Sequence, residues 1–596
     1  MTDQKNTILA IVLSALVFVA WQYFFGYPQI EKQKQNAQQQ QTQQKGPAPS
    51  TENKSQPQVP GAPASTAQTL TRADALAKSQ RVPIDTERLG GSIALTGGRI
   101  DDLSLRKYHE SVDPSSPAIV LLSPSGSPHP FYAEFGWISD SKIPVPDANT
   151  PWRQQGAGSL GLERPVTLTW DNGQGLEFRR TISVDDKYLF TVKDDVTNKA
   201  AAPVTLHPYA LISRHGTPQV AGYYILHEGM IGVLGDQGLQ EVTYKTLEDK
   251  KTMNFKVTNG WLGITDKYWA AALLPDPTAQ LQARFSEGSV DAAKSYQADY
   301  LLDAQTIAPG GSGTASARLF AGAKEVGVID SYEKSLGANR FDRLIDWGWF
   351  YFITKPMFQL IDYFFRWFGN FGVAILVVTV LVKLVFFPLA NKSYASMAKM
   401  KAVQPQMQAL RERYPDDKVK QQQELMELYK KEKINPIAGC LPIVIQIPVF
   451  FSLYKVLFTT IEMRHAPFFG WIKDLSAPDP TNIFTLFGLV PWDPTHLPFI
   501  GAFLVLGVWP LIMGVTMWVQ MKLNPPPPDP TQQMIFDWMP VIFTFMLSSF
   551  SAGLVIYWAW NNTLSVIQQS FIMRKHGAKV ELIDNVKALF AKKEKA

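Results

Sequence analysis

The chain has 596 residues, a formal net charge of +5 and a single cysteine, Cys440. So small a positive excess excludes a specific nucleic-acid target, although the basic residues are clustered, and one cysteine excludes an internal disulfide framework, a CxxC pair and a zinc-finger arrangement. The near-zero mean hydropathy averages a polar first half with an apolar second half, and the length allows several domains.

Residues 8–25 are an apolar run, preceded by Lys5 and ending in the interfacial aromatics Trp21, Tyr23, Phe24 and Phe25. No small-residue cleavage site precedes those aromatics, so residues 1–26 read as an uncleaved membrane anchor. Residues 27–81 are Gln-rich from Gln33 to Gln44 and then rich in Pro, Ala, Ser and Thr. They hold too few large apolar residues for a core and read as a flexible tether.

From 82 to 337 the texture becomes that of short strands separated by Gly, Pro, Asn and Asp. Val166, Leu168 and Trp170 alternate with Thr167 and Thr169, and Tyr188, Phe190, Val192 and Val196 continue the two-residue period of half-buried strands. With no helix-period segment of comparable strength, this stretch predicts a large β-sandwich. Gly156, Gly158 and Gly161 spell G-x-G-x-x-G, but a strand-like run follows them, so no helix N-terminus is expected there to hold a pyrophosphate. The histidines are scattered, and no H-E-x-x-H, G-x-S-x-G or Walker A pattern occurs. A sugar-binding groove on the sandwich stays open.

Residues 338–369 are unusually aromatic, with Lys355, Gln359, Asp362 and Arg366 at helical spacing on one side. That pattern predicts an amphipathic helix, broken near Pro356, lying in a membrane interface; Asp342, Arg343, Asp346, Lys355 and Asp362 weigh against a further span. Residues 370–391 then supply the ~20 apolar residues that a bilayer-crossing helix needs, with one charge, Lys383, near the middle. A lone charge there costs about 2.5–3.5 kcal/mol on insertion scales. Roughly eight residues, about 12 Å of helix, separate it from the end of the span, which is further than a lysine snorkels. The lysine therefore needs a hydrated, protein-lined place to point, a snorkelled or neutral lysine being the alternative.

Residues 392–434 predict a soluble helical hairpin turning at Tyr414, Pro415, Asp416 and Asp417. Arg411, Arg413, Lys418, Lys420, Lys430, Lys431 and Lys433 crowd it, which puts it in the cytoplasm by the positive-inside rule. Met397, Met400, Met407 and Met426 give its arms adaptable apolar surface, either to hold the arms together or to bind substrate. Apolar helices return at 435–462, 499–523, 534–550 and 551–572, with an outer loop at 463–498 and a short turn at 524–533 stiffened by the prolines 525–528. With the first two spans they make six, which leaves both termini in the cytoplasm and the β-domain outside; the basic tail 573–596 agrees.

The signature residues Asn435-Pro436, Gly439-Cys440, Pro442, Gln446-Ile447-Pro448 and Tyr454 are followed by Ala466-Pro467-Phe468, Trp471 and Asp474-Leu475-Ser476. Further on stand Met539-Pro540-Val541-Ile542-Phe543-Thr544 and Gly553-Leu554-Val555-Ile556-Tyr557-Trp558, and the hairpin carries Ser396-Met397-Ala398-Lys399-Met400. Taken together over residues 341–572, they resemble the YidC/Oxa/Alb family of membrane-protein insertases. The anchor and outer domain resemble its Gram-negative subtype. This implies a polytopic α-helical protein of the inner membrane, six spans with a five-helix insertase core, carrying a large all-β periplasmic super-sandwich related in fold to sugar mutarotases. Such a fold by itself implies no catalysis.

The resemblance further implies a hydrated groove, open to cytoplasm and lipid and closed to the outside, in which a basic residue of the first core helix receives the polar leading segment of a nascent protein. That position falls on Lys383, where many relatives carry arginine; lysine keeps the charge and loses the planar five-donor fork. Thr379, Gln446, Thr544, Asn561 and Asn562, with Tyr557 and Trp558, are the candidate groove walls, and a polar residue there serves equally as packing glue worth about 0.6 kcal/mol. Met397, Met400, Met407, Arg411 and Arg413 are the candidate hairpin residues. The implied partners are nascent membrane proteins, the Sec translocon, the ribosome through the basic tail and hairpin, and membrane lipid, with no cofactor, metal or catalytic group; a monomer is one reading of the working unit, which the sequence leaves open. A solute or ion transporter using Lys383 as substrate ligand is the competing reading, against which no internal repeat is found. A membrane-tethered carbohydrate-active protein is the third.

Overall fold

A computed structural model describes residues 58–61, 70–141, 143–220, 226–290, 293–415, 417–432, 441–490, 504–524 and 530–576. The expected anchor, the 435–440 part of the signature, the loop around Trp492, the prolines 525–528 and the tail beyond residue 576 lie outside these residues.

From Arg81 the chain forms two antiparallel sheets, of ten and nine strands, that share one core. The two-residue period sets the layers. Leu176–Val184 and Leu189–Asn198 pair with Ile182 opposite Val192 and Phe178 opposite Val196, and alternate residues are buried because one face of each strand is covered. The same period carries a charged pair inward, since Arg180 lies directly opposite Asp194. Gly156, Gly158 and Gly161 lead into the strand Val166–Asp171, as expected, and not into a helix.

Part of the expected tether is ordered. α1 (Arg72–Ala77) is capped by Thr71, whose hydroxyl accepts the Asp74 amide at 3.2 Å, and Arg72 pairs with Asp102 of the first sheet. Val59 is buried against the same sheet. Composition missed both because the partners are distant in sequence. Within the sandwich lies α2 (Tyr244–Lys250), and the domain closes with α3 (Val326–Leu336), ended by Gly337 in the left-handed region at φ 64°. Contacts fasten the domain to the helices: the Glu462 carboxylate accepts the Val326 amide at 2.7 Å, and Lys455 pairs with Asp346 at 2.7 Å.

α4 (Tyr351–Phe368) runs through Pro356 without the expected break. Pro356 sits in its second turn on the exposed side, where one amide bond is lost and little presses on the ring. Tyr351, Phe352, Tyr363, Trp367 and Phe368 are exposed, while Met357, Phe358 and Ile361 are buried, the two faces of an interfacial helix.

The apolar stretch at 370–391 is two helices and not one: α5 (Phe371–Val385) and α6 (Phe387–Ala402), bent by 66°. Pro388 is the cause, having no amide for the Leu384 carbonyl and a ring that presses on it. Lys383 therefore stands in the last turn of α5, just ahead of the bend. There the unpaired carbonyls and the helix dipole favour a cation. α7 (Gln404–Arg413) and α8 (Lys418–Lys431) form the expected hairpin. Val403, Met407 and Tyr429 are buried between its arms, with Met400 packed on them, so Met400 and Met407 act as glue.

α9 (Leu441–Thr459), α10 (Val508–Leu523), α11 (Pro530–Met546) and α12 (Ala552–Lys575) complete the helices. α10 begins at Val508, where the preceding loop caps it: Asp479 accepts the Trp509 amide at 2.9 Å and Thr481 accepts the Val508 amide at 3.0 Å; the first residues of the expected span, 499–503, lie outside the described residues. Among the described residues no single helix is long and apolar enough to cross a membrane, while the bent pair α5 and α6 passes together.

Candidate functional site

Helices α4, α5, α6, α9, α10 and α12 line one cavity of about 120 Å³. α12 supplies most of its polarity, because Tyr557, Asn561, Ser565 and Gln569 recur every fourth residue and so share one face of the helix. α5 adds Thr379 and Lys383, α9 adds Gln446, and α6 adds Tyr394 and Met397.

The lysine ammonium donates to the Ser565 hydroxyl at 2.7 Å, and that hydroxyl donates on to the Asn561 carbonyl at 2.8 Å. Among the described residues lining the cavity, Lys383 carries the one full charge and none is acidic. An ammonium has three donors, and a serine oxygen engages one. Three of the other polar side chains are engaged: Thr379 donates to the Ile375 carbonyl at 2.7 Å, and Gln569 donates to the Asn524 side chain at 3.0 Å. The Trp560 indole donates to the Leu376 carbonyl at 3.2 Å and fixes α12 against α5.

The expected wall residues divide. Lys383, Thr379, Gln446, Tyr557, Asn561 and the hairpin's Met397 come together at the cavity. Thr544, Trp558 and Asn562 do not line it. Thr544 donates to the Pro540 carbonyl at 2.7 Å and packs on Gly514, where a Cβ would lie 2.0 Å from its oxygen. Trp558 packs between Phe450 and Phe543, and Asn562 reaches Thr516 of α10 at 3.4 Å. All three face neighbouring helices and hold them together. Arg411 and Arg413 stand on α7, away from the cavity lining. Ser565, Gln568, Gln569, Gln520 and Asn524 belong to the lining and were missed. A four-residue polar stripe continuing from Tyr557 and Asn561 was the signal for Ser565 and Gln569.

The loop after α9 covers the opposite helix ends. The Leu475 and Ala477 carbonyls accept the first amides of α12, from Gly553 at 2.9 Å and Ala552 at 2.7 Å. Asp474 holds the loop by accepting the His465 and Ser476 amides at 3.1 and 2.8 Å. Phe468 occupies space that Gly372 leaves at the start of α5, where a Cβ would meet the ring at 2.1 Å. The loop motif thus satisfies orphan amides that would otherwise draw water to that end.

Two family models match the chain: the YidC periplasmic domain over residues 81–360 and the 60Kd inner membrane protein over residues 363–579. A membrane protein insertase YidC of Bradyrhizobium diazoefficiens is 65% identical over 615 residues, covering 100% of both chains. Its counterpart in Nitrobacter hamburgensis is 66% identical over 604 residues, covering 100% of this chain and 98% of the other. Among solved structures, an active YidC insertase with its first transmembrane domain resolved is 18% identical, with a TM-score of 0.35, and covers 82% of this chain and 91% of that one.

Proposed function

The chain belongs to the YidC family of membrane protein insertases, and from that premise we propose that the cavity at Lys383 is where it receives the polar leading segment of a client. The protein is an inner-membrane insertase with a periplasmic domain, acting on membrane proteins and not an enzyme. The observation that carries the reading of the cavity is a cation that donates to a neutral hydroxyl, with no carboxylate among the described residues of the lining. An acidic or carbonyl-rich segment meets that charge in a medium less polar than water, where attraction is stronger. The neutral serine partner lets the contact exchange, as it must if the client is to leave sideways into lipid. Thr379, Gln446, Tyr557 and Asn561 serve as polar walls beside it.

The finer topology belongs to the same proposal. Six spans put both termini and the 392–434 hairpin in the cytoplasm, in keeping with its clustered Lys and Arg. The basic hairpin and tail then face the ribosome and anionic lipid, and the Sec translocon is a partner. The transporter reading gains nothing from the relatives.

The test is insertion of two matched single-span clients, one with an acidic and one with a neutral leading segment, into membranes carrying each Lys383 variant at equal abundance. Lys383→Arg keeps both, Lys383→Ala impairs the acidic client, and Lys383→Glu impairs it most. Equal insertion of both clients by Lys383→Glu and wild type would remove Lys383 from the mechanism.

A further inference from the structure

Within the loop between α9 and α10, residues 483–490 read Ile-Phe-Thr-Leu-Phe-Gly-Leu-Val, a composition that suits a core. They form a turn at the surface instead, with Leu486, Phe487 and Leu489 exposed by 56, 63 and 82%. Leu486 and Phe487 stand consecutively in the left-handed region, at φ 46° and 60°. Bulky L residues avoid that region, and such a conformation persists only where the surroundings fix it.

Asn482 and Thr485 fix it here. The Phe487 amide donates to the Asn482 carbonyl at 3.0 Å, and the Val490 amide donates to the Thr485 carbonyl at 3.1 Å. The Asn482 side chain accepts the Phe484 amide at 3.0 Å and donates to the Leu504 carbonyl at 2.9 Å. The Thr485 hydroxyl donates to the Asn482 carbonyl at 3.0 Å and accepts the Gly488 amide at 3.2 Å. The turn therefore satisfies its main chain inwardly and directs its apolar side chains outward. Main-chain groups already paired lose little on leaving water.

Position and charge indicate what covers those side chains. The loop starts against the periplasmic domain, where Arg464 donates to the His109 carbonyl at 2.6 Å. The turn is tied to the start of α10, since the Ile483 amide donates to the Leu506 carbonyl at 3.0 Å. No lysine or arginine occurs between Lys473 and Lys522, and from Thr481 to Gly507 the one charged residue is Asp493. The turn has neither the cations that seek anionic headgroups nor the charged rim of a protein-docking surface. Leucine and phenylalanine side chains at the outer end of a span suit the boundary between headgroups and acyl chains.

We propose that residues 486–489 are a finger that dips into the outer leaflet of the inner membrane, with lipid as its partner, and that it fixes the start of α10 against the bilayer. The inference rests on the reading of α9 and α10 as spans.

The full-length protein carrying Cys440→Ser, placed in lipid nanodiscs and labelled at Leu489→Cys with an environment-sensitive fluorophore, tests this. A spin label near the headgroup end of the acyl chains should quench that fluorophore at least ~3-fold more than one at Val112→Cys, on an exposed loop of the sandwich, since an interfacial side chain lies about 5–10 Å deep. Leu486→Asn with Phe487→Gly removes the apolar tip and keeps the turn, because both replacements accept left-handed backbone. In that background the lipid-to-water ratio of the Leu489 label should fall at least ~10-fold. Quenching no greater than at Val112 places the turn in water, a blue-shifted label that the lipid does not quench places it against protein, and quenching unchanged by the double substitution shows that the tip does not hold it; each overturns the proposal. A cysteine replacing Lys431 in the hairpin tests the premise separately. If an impermeant thiol reagent reaches Lys431→Cys and Val112→Cys from the same face of the membrane, the topology and this inference fall together, whereas opposite faces with an unquenched Leu489 label overturn this inference alone.

Discussion

Arg180 in the sandwich and Lys383 among the helices are both cations withdrawn from water, and their surroundings differ in kind. Arg180 is 0% exposed and its guanidinium is used in every direction. It makes two parallel bonds of 2.7 Å to Asp194, donates to the Phe135 carbonyl at 2.7 Å and the Gly98 carbonyl at 3.3 Å, and lies 4.8 Å over the Trp152 ring. Lys383 has a serine hydroxyl and a cavity with no carboxylate among the described residues of its lining. A buried charge completed by its neighbours holds a fold together, because any rearrangement leaves something unpaired. A charge left incomplete, on a helix end that already favours it, is free to take a transient partner.

The comparison breaks most easily at its structural end. Arg180→Ala leaves Asp194 buried without its partner, and breaking such a pair from one side costs about 3–5 kcal/mol. Urea unfolding of the full-length protein, followed by tryptophan fluorescence, should show a destabilisation of that order in the sandwich transition. Arg180→Lys, which restores charge without the fork, should recover part of it. A wild-type midpoint for Arg180→Ala would mean that the pair is not structural.

At the other end the expected effect falls on function. Lys383→Ala should leave the unfolding midpoint nearly unchanged, since no carboxylate loses its partner. Insertion of the acidic client should drop roughly tenfold relative to the neutral one, the equivalent of about 1.4 kcal/mol and the lower end for a charged hydrogen bond. Loss of both clients together with a lowered midpoint would make Lys383 a second Arg180.

How legible this contrast was in the sequence follows from periodicity. Phe190, Val192 and Val196 mark a core face on which Asp194 also falls, so the two-residue period alone predicts an inward aspartate. Its partner Arg180 sits between Phe178 and Ile182 on the neighbouring strand for the same reason. On the membrane side the apolar run disclosed a helix and its odd lysine. The bend at Pro388 is readable from proline chemistry, although the unbroken apolar run 370–391 by itself reads as one helix. Thr544, Trp558 and Asn562 could not be told from wall residues, because a polar or aromatic residue in an apolar helix looks alike whether it faces a cavity or a neighbour. That choice depends on helix rotation, which tertiary packing sets. Val59 was the least legible, since only the distant strands that cover it distinguish it from the rest of a polar, Pro-rich tether.

A smaller effect probes the closed end of the helices. Asp479 accepts the Trp509 amide at 2.9 Å, the Trp471 indole at 3.1 Å and the Thr481 amide at 3.0 Å, so one carboxylate joins the loop to the start of α10. Asp479→Ala should cost about 0.5–2 kcal/mol, as for loss of an N-cap, and Asp479→Asn should retain most of it. Amide exchange at Val508 and Trp509 is the readout; unchanged protection in Asp479→Ala would make the carboxylate dispensable.

The smallest effect extends the comparison to a buried group that avoids charge. His215 ends the strand Val204–His215 with 7% exposure. Its Nε2 lies 3.4 Å from the Tyr132 hydroxyl, and the Arg99 guanidinium, itself paired with Glu134, adds repulsion. Burial first and Arg99 second push its pKa down to about 4 from the ordinary 6.5. A depressed imidazole is neutral in the folded chain while the unfolded chain takes up a proton, so stability is full above about pH 6.5 and is lost progressively as pH falls toward 4. Between pH 7 and pH 6 that loss is under about 1 kcal/mol. Asp299 works in the opposite sense, because burial pushes its carboxyl up to about 6 and favours the folded state as pH falls through that value. The readout is therefore the difference between wild type and His215→Gln, measured as urea midpoints at each pH: His215→Gln should hold its stability better as the pH drops below 6.5, with Asp299 cancelling between the two. Parallel pH curves would mean that His215 accepts its proton in the folded sandwich at no cost, and that burial and Arg99 do not exclude charge from that site.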